Sequence, residues 1–376
     1  MTRNVALITP VVYPAPGGGA IYTKLLAEGL ARDADTAAVL ILTEAFPGEP
    51  RSSIFHNKVR YLRIFPFRAG RSRVDLLSYA AYAWQNFQFL RLGEFFGPIP
   101  DVVLVHSSLH YKRNFLSAGL TRLKRVNPNL KLVLDIRDPL VSTSLKGALR
   151  NYDAVIVCSE SASSKFRAVA DNLIPVFHIP IIFEPVQVDA VEVQRVRSKF
   201  GLNHPYVITT NGVRYDKGLG DTIQLVRSLR AEVKDLRLVI VGRERHVDSN
   251  FAQAVSDDLA INLGPLDHAQ TLALVAGSEM HINLSTVEGL PRGSLEAMWL
   301  GARTILPPNI PEFIETVPEL VANNQSSSDL LSQAHRLLCR PGTRPAYPFQ
   351  NHFSENVCQQ YLYLIDDLVH PPPGKS

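Results

Sequence analysis

Two glutamates eight positions apart, Glu288 and Glu296, bracket the stretch Val287-Glu288-Gly289-Leu290-Pro291-Arg292-Gly293-Ser294-Leu295-Glu296-Ala297-Met298-Trp299-Leu300-Gly301. Carboxylates so placed can hold two separate polar groups of one ligand. Gly289 and Pro291 mark a turn between them, and the residues beyond read as a helix closed by Gly301. Met280–Leu284, just before, reads as a buried strand. A strand, a glycine-bearing turn and a helix N-terminus form a site for an anion, because the first N–H groups of a helix have no partner inside it. Glu288 falls on the turn. Glu296 falls about one turn inside the helix, towards the same crevice. An isolated pair of this kind is more often two solvated glutamates, so its meaning depends on the elements that position it.

Two further stretches suit an anion. Pro16-Gly17-Gly18-Gly19-Ala20 follows the first apolar run and precedes a helical one. Glycines there let backbone approach a phosphate or sugar closely. Their spacing is not G-x-G-x-x-G, so the stretch fails as a nicotinamide-nucleotide fingerprint; a plain glycine-rich turn is the other reading. Thr210-Asn211-Gly212-Val213-Arg214-Tyr215-Asp216-Lys217-Gly218 follows another apolar run. Lys217 is expected to open the next helix, where it and Arg214 can neutralise a diphosphate leaving group. Gly242 and Arg243 follow the next run and border the same site.

The elements carrying these residues alternate along almost the whole chain. Apolar runs at Val5–Thr9, Ala37–Leu42, Val102–Val105, Leu132–Leu134, Ala154–Val157 and Val176–Ile179 read as strands. So do Val207–Thr210, Leu236–Val241, Ile282–Leu284 and Thr304–Leu306. Helical periods near Tyr22–Ala31, Thr222–Leu229 and Thr271–Val275 lie between them. Strands that read as continuous apolar runs are covered on both faces, and βα alternation predicts α/β, doubly wound parallel sheets. With 376 residues the chain exceeds the roughly 250–300 that one core supports, so two domains are expected. Pro180-Ile181-Ile182-Phe183-Glu184-Pro185 is the expected boundary. It divides residues 1–183 from 184–352, with a final amphipathic helix at about 353–370 returning to the first domain. In such sheets ligands lie beyond the C-terminal strand ends.

An apolar fraction of 46% against 20% charged residues describes an ordinary globular protein. No run approaches the roughly 20 apolar residues that span a bilayer. The N-terminus enters a short strand with no signal-peptide core, and the three cysteines form no CxxC. Both features predict a cytoplasmic protein without structural zinc or disulfides. Charge is uneven: residues 1–185 hold 22 Lys and Arg against 14 Asp and Glu, the remainder 17 against 21. Arg51, Lys58, Arg60, Arg63, Arg68, Arg71 and Arg73 intermingle with Tyr61, Phe65 and Phe67, and an aromatic helical stretch follows from Leu76 to Phe96. Basic residues beside exposed aromatics suit an anionic membrane surface. A solvated loop followed by a core helix is the alternative.

Taken in order, the Gly-Gly loop after the first strand, the Lys-Gly after the boundary, and Glu-x7-Glu with Glu-Ala-Met and a trailing Gly resemble the retaining glycosyltransferases of the GT-B fold, family 4. The resemblance runs over nearly the whole chain and is most specific at Glu288–Gly301. It implies two facing Rossmann-like domains with a cleft between them: residues 1–183 binding the acceptor and 184–352 the nucleotide-sugar donor. It implies transfer of a hexose, with retention, from a UDP- or GDP-sugar to an acceptor hydroxyl. By the resemblance Gly17, Gly18 and Gly19 meet the donor, Lys217 holds the diphosphate, Glu288 bonds the donor sugar and Glu296 the ribose. Backbone N–H groups of Leu290, Arg292 and Gly293 face the phosphates, and the base lies against Gly242 and Arg243. No metal and no cofactor is required. The partners are the donor, a glycan or lipid-linked acceptor as in cell-surface polysaccharide or glycolipid assembly, and an anionic membrane surface at the cytoplasmic face. Nucleic acid is not among them.

Two positions depart from the family pattern. Gly212 stands where the family has Arg, and Arg214 lies only three residues before Lys217. In Asp135-Ile136-Arg137-Asp138-Pro139 the family His is missing and Asp138 matches its Asp. Arg137, His106 and His110 are candidates for orienting the acceptor. These departures keep two other readings open, a catalytically degenerate glycan-binding or partner subunit and a nucleotide-sugar epimerase.

Overall fold

The computed structural model describes residues 2–9, 12, 18–44, 50, 52–55, 58–65, 100–106, 123–125, 127–137, 149–170, 173–245, 247–323, 326–339 and 347–371. The chain divides into two compact units, Met1–Ile182 with Asn351–Ser376 and Phe183–Gln350.

The first unit is built on an eight-stranded sheet. Its strands are β1 (Arg3–Ile8), β2 (Thr36–Glu44), β3 (Ser52–Phe55), β4 (Val59–Phe65), β5 (Val102–His106), β6 (Lys131–Ile136), β7 (Ala154–Val157) and β8 (Val176–His178). They run in the order β3-β4-β2-β1-β5-β6-β7-β8, parallel except where β3 pairs with β4. The apolar runs of β1, β5, β6 and β7 are buried as double-sided coverage requires. Between β1 and β2 lies α1 (Gly18–Arg32), and after β7 comes α2 (Glu160–Ala170).

Lys58–Phe65 belongs to Arg51–Arg73, which the sequence offers either as basic residues beside exposed aromatics or as a solvated loop. That expectation is corrected: the segment forms β4, flanked by β2 and β3. Tyr61 is 4% exposed and Arg63 5%, its Nη1 donating to the Pro50 carbonyl at 3.0 Å. The strands on either side pair the backbone edges of β4, and Val59, Tyr61, Leu62 and Arg63 are buried. Arg51, Phe67, Arg68, Arg71, Arg73 and the stretch 76–96 lie outside the described residues.

The C-terminal helix, Ser354–Val369, packs on α1. Val357, Tyr361, Leu364 and Ile365 join Tyr22, Leu26 and Leu30 in one core, and the Tyr22 and Tyr361 hydroxyls meet at 2.7 Å. Gly29 makes the close approach possible, since a Cβ there would overlap Cys358 Sγ. Arg3, 5% exposed, ties β1 to both neighbours through Asp33 at 2.6 Å and Asp366 of the C-terminal helix.

The second unit carries five parallel strands, β9 (Tyr206–Thr209), β10 (Arg237–Val241), β11 (Ala260–Gly264), β12 (Met280–Ile282) and β13 (Thr304–Ile305), in the order β11-β10-β9-β12-β13. Helices α3 (Ala190–Lys199), α4 (Leu219–Leu229), α5 (Ser249–Ser256), α6 (His268–Ala276), α7 (Arg292–Trp299), α8 (Pro311–Thr316) and α9 (Ser327–Cys339) surround them. Separate apolar clusters cover the two faces of the sheet. Strand order reverses at β9, with β10 on one side and β12 on the other. The crevice beyond the C-terminal ends of β9 and β12 is therefore the topological switch point where ligands bind in such sheets. No helix among the described residues is long and apolar enough to cross a membrane.

Candidate functional site

At the switch point the loops after β9 and β10 are zipped together by backbone. Gly212 N donates to Val241 O at 2.9 Å, Val213 N to Arg243 O at 3.2 Å, and Arg245 N to Val213 O at 3.1 Å. The crossing needs two glycines in left-handed backbone, Gly212 at φ 68° and Gly242 at φ 127°. A Cβ on Gly242 would lie 2.8 Å from Gly212 N. Gly212 thus has a structural task at this crossing. Arg243 is exposed at the rim.

The chain then makes a single 3-10 turn, Tyr215–Lys217, and α4 starts only at Leu219. Lys217 precedes the helix rather than opening it. Gly218 between them, at φ 70°, presses against the Leu284 backbone. This turn is clasped to the one after β12: Ser285 Oγ donates to Asp216 O at 3.3 Å, and Lys217 Nζ to Val287 O at 2.8 Å. The clasp brings the first catalytic candidates together. Lys217 Nζ lies 2.7 Å from Glu288 Oε1, with both side chains mostly covered. Arg214 turns to Asp216, Nε donating to Oδ1 at 3.0 Å and Nη2 to Oδ2. That pairing holds the Asp216 carboxyl below its ordinary range.

Helices α3, α5 and α6 begin with an aspartate whose carboxylate caps the first turn: Asp189, Asp248 and Asp267. The two helices that begin at the switch point, α4 and α7, have Gly218 and Pro291 in that place and no side-chain cap. Helix starts of this kind carry partial positive charge. Gly293, in the first turn of α7, is packed so that a Cβ would come 2.6 Å from Thr210 Oγ1. Leu290 is buried, 4% exposed.

Glu296 is not a solvated glutamate. It is 8% exposed, and its Oε1 accepts from His268 Nε2 at 2.8 Å and lies 2.9 Å from Arg292 Nε. Burial pushes its carboxyl up; Arg292 and His268 more than offset that, and it stays below the ordinary value. Beneath it, His281 of β12 is 1% exposed and held neutral, its pKa lowered to about 4 by burial against the opposing pull of Glu296. Its Nε2 lies 3.3 Å from Thr210 Oγ1. Asn283 braces the floor, accepting from Asn211 Nδ2 at 2.8 Å and donating to Ser294 Oγ at 3.1 Å. His268, His281 and Asn283 escape sequence reading, because a single polar residue at a helix start or in a strand carries no spacing signal.

The first unit has its own polar cluster, at the C-terminal ends of β5 and β6. Asp135 and Arg137 pair at 2.7 Å, and the guanidinium stacks 3.9 Å over the Tyr22 ring and donates to its hydroxyl. Tyr361 donates to Asp135 Oδ1 at 3.3 Å. Burial raises the Asp135 carboxyl and Arg137 opposes it. His106 is held neutral, lowered to about 4 by burial and by Arg137. A small cavity bordered by Thr9, Tyr22, Thr23, His106 and Asp135 opens beside the pair. Gly18 and Gly19 form the first turn of α1, where a Cβ would meet nothing within 4 Å. Gly17, Asp138 and His110 lie outside the described residues. Among the described residues no group of three or more His, Cys, Asp or Glu is placed to hold a metal ion.

No protein-family model matches the chain, and no curated protein sequence matches it significantly. Solved structures do match over its full length. A sucrose-phosphate synthase from Thermosynechococcus elongatus superposes with a TM-score of 0.68 at 18% identity, covering 98% of this chain and 96% of its own. The Anabaena protein HepE, in complex with UDP and glucose, gives 0.68 at 14% identity, covering 97% and 100%. A UDP-forming α,α-trehalose-phosphate synthase from Burkholderia xenovorans gives 0.67 at 16%, covering 98% and 99%. The fold is thus α/β with two parallel-sheet Rossmann-like domains, the GT-B type that these structures share.

Proposed function

We propose that this chain is a retaining hexosyltransferase, moving a hexose from a nucleotide diphosphate sugar to an acceptor hydroxyl. The observation that carries the reading is the Lys217–Glu288 pair, 2.7 Å apart at the switch point, between the uncapped starts of α4 and α7. As the sugar–phosphate bond breaks, negative charge grows on the diphosphate. Lys217 and the N–H groups at the two helix starts, Arg292 and Gly293 among them, offset it without a metal ion. Glu288, oriented by Lys217, accepts hydrogen bonds from hydroxyls of the departing sugar. Glu296 receives the ribose, and Gly242 and Arg243 border the base. Gly17, Gly18 and Gly19 of the first unit are further donor contacts in this reading. Asp138, Arg137, His106 and His110 orient the acceptor.

A UDP-sugar is favoured over a GDP-sugar, since the Anabaena structure holds UDP and glucose and the Burkholderia enzyme is UDP-forming. For the acceptor we propose a glycan or lipid-linked glycan of cell-surface polysaccharide or glycolipid assembly, met at the cytoplasmic face of the membrane. The excess of Lys and Arg in residues 1–185 supports this. Flotation with anionic vesicles at low salt tests it, and no binding there removes it.

Calorimetry with UDP, GDP and ADP tests the donor site. One of them binds the native protein, and Lys217→Ala weakens it by about tenfold or more, the scale of a hydrogen bond to a charged group. If none binds, the transferase reading fails. One observation favours a degenerate subunit instead: Arg214 is spent on Asp216 rather than left to the phosphates. Measurable transfer or donor hydrolysis excludes that alternative.

A further inference from the structure

We infer that His268 is a positioning residue for Glu296, and that through it the site distinguishes ribose from 2′-deoxyribose. The inference rests on the proposed function in placing a nucleotide ribose at Glu296. An ionised carboxylate offers about four lone-pair directions, two on each oxygen. Oε1 of Glu296 is engaged from two elements: it accepts from His268 at the start of α6, 2.8 Å away, and forms an ion pair with Arg292 one turn earlier in α7, 2.9 Å away. Among the described residues no hydrogen bond reaches Oε2. The two hydroxyls of a ribose diol are a matching pair of donors for that oxygen, and a 2′-deoxyribose supplies only one.

Arg292 alone does not fix the carboxylate plane, because it rides on the same helix as Glu296 and moves with it. His268 comes from outside that helix. Its backbone is anchored by the N-cap of α6, where Asp267 Oδ1 accepts from Gln270 N at 2.7 Å. The carboxylate can only accept, so Nε2 of His268 carries the proton in this contact. Fixed between an external donor and an ion pair within its own helix, the carboxylate turns Oε2 to the ligand.

Binding of UDP and 2′-deoxy-UDP is measured by calorimetry on the native protein, His268→Leu and His268→Gln, with the GDP and ADP pairs run in parallel. The native protein prefers the ribonucleotide by about tenfold, the worth of one hydrogen bond to a charged group. His268→Leu keeps bulk but removes the donor, and the preference falls to within about threefold of unity while deoxynucleotide affinity hardly changes. His268→Gln restores a donor and most of the preference. A native ratio surviving in His268→Leu overturns the inference, as does a native protein that binds both sugars equally. Failure of every nucleotide to bind the native protein removes the underlying donor reading. If His268→Leu does not fold, the native protein still decides: the imidazole nitrogens of His268 shift in NMR on adding UDP more than on adding 2′-deoxy-UDP, and equal responses overturn the inference.

Discussion

In the proposed reaction Lys217 and Glu288 divide the chemistry between charge and orientation. Lys217 has two anchors besides any ligand, Val287 O and Glu288 Oε1, so its ammonium is fixed before a donor arrives. Glu288→Gln keeps a hydrogen-bonding partner for Lys217 but loses the negative charge near the departing sugar. The expected result is a fall in kcat of about 10²–10³-fold, the range for one preorganised electrostatic group, with nucleoside diphosphate affinity changed less than about threefold. Steady-state transfer assays and calorimetry on the same preparation check both halves, and a loss of affinity as large as the loss of rate contradicts this division. At this scale the sequence was informative where type and spacing coincide. Glu288, Glu296, Lys217 and the glycines of the turns stand out because a turn, a helix start and a carboxylate occur in order. His268 and Asn283 do not, because their partners lie 28 and 72 residues away and only the folded sheet brings them near.

Elements carry a different kind of prediction, since the site depends on backbones that touch. Gly218 holds φ 70° and packs against the Leu284 backbone, which has no flexible end to move aside. Gly218→Ala combines left-handed strain of about 1–2 kcal/mol with a backbone clash. We expect a loss of about 3 kcal/mol or more in urea unfolding of the second unit, and weaker nucleotide binding in whatever remains folded. Gly29→Ala is milder. Its new Cβ meets Cys358 Sγ, a side chain, so a cost of about 1–3 kcal/mol is expected, and Cys358→Ala relieves part of it. Thermal unfolding of the single and double variants shows whether the two substitutions couple. The strands were legible to the extent that they are buried on both faces: β1, β5, β6, β7, β9 and β10 are apolar runs that can be little else. β4 mixes arginines with apolar residues, β3 is four residues long, and β11 carries Asn262 and ends in Gly264. Those three are strands because a neighbouring strand offers its edge, and no local pattern announces that.

Over the whole molecule the buried histidines set the response to acid. His281 in the second unit and His106 and His352 in the first are each held neutral, with pKa values lowered to about 4. Burial is the main cause in each; Arg137 adds to it at His106 and His178 at His352, while Glu296 opposes it at His281 and the bond to Ile181 opposes it at His352. In the unfolded chain these imidazoles titrate near 6.5. Between about pH 6.5 and 4 the unfolded state therefore binds protons that the native state refuses, and stability rises with pH wherever the unfolded state binds more protons. The contribution is complete above about 6.5, falls as the pH drops, and levels off below about 4. A displacement of this size is worth roughly 3 kcal/mol per group at most. The perturbed carboxylates act lower on the scale. Glu296 and Asp216 are held below their ordinary values, so their stabilisation is lost only as the pH falls through those depressed values. Urea unfolding at pH 7.5, 6.5, 5.5 and 4.5 should thus show a loss of several kcal/mol well before the carboxylates protonate. His281→Gln and His352→Gln can retain a hydrogen bond to Thr210 and to Ile181 without titrating. Each is less stable than the native protein at pH 7.5 through imperfect packing, but its decline between pH 6.5 and 4.5 is shallower. If both variants decline as steeply as the native protein, the acid response lies elsewhere than in these imidazoles.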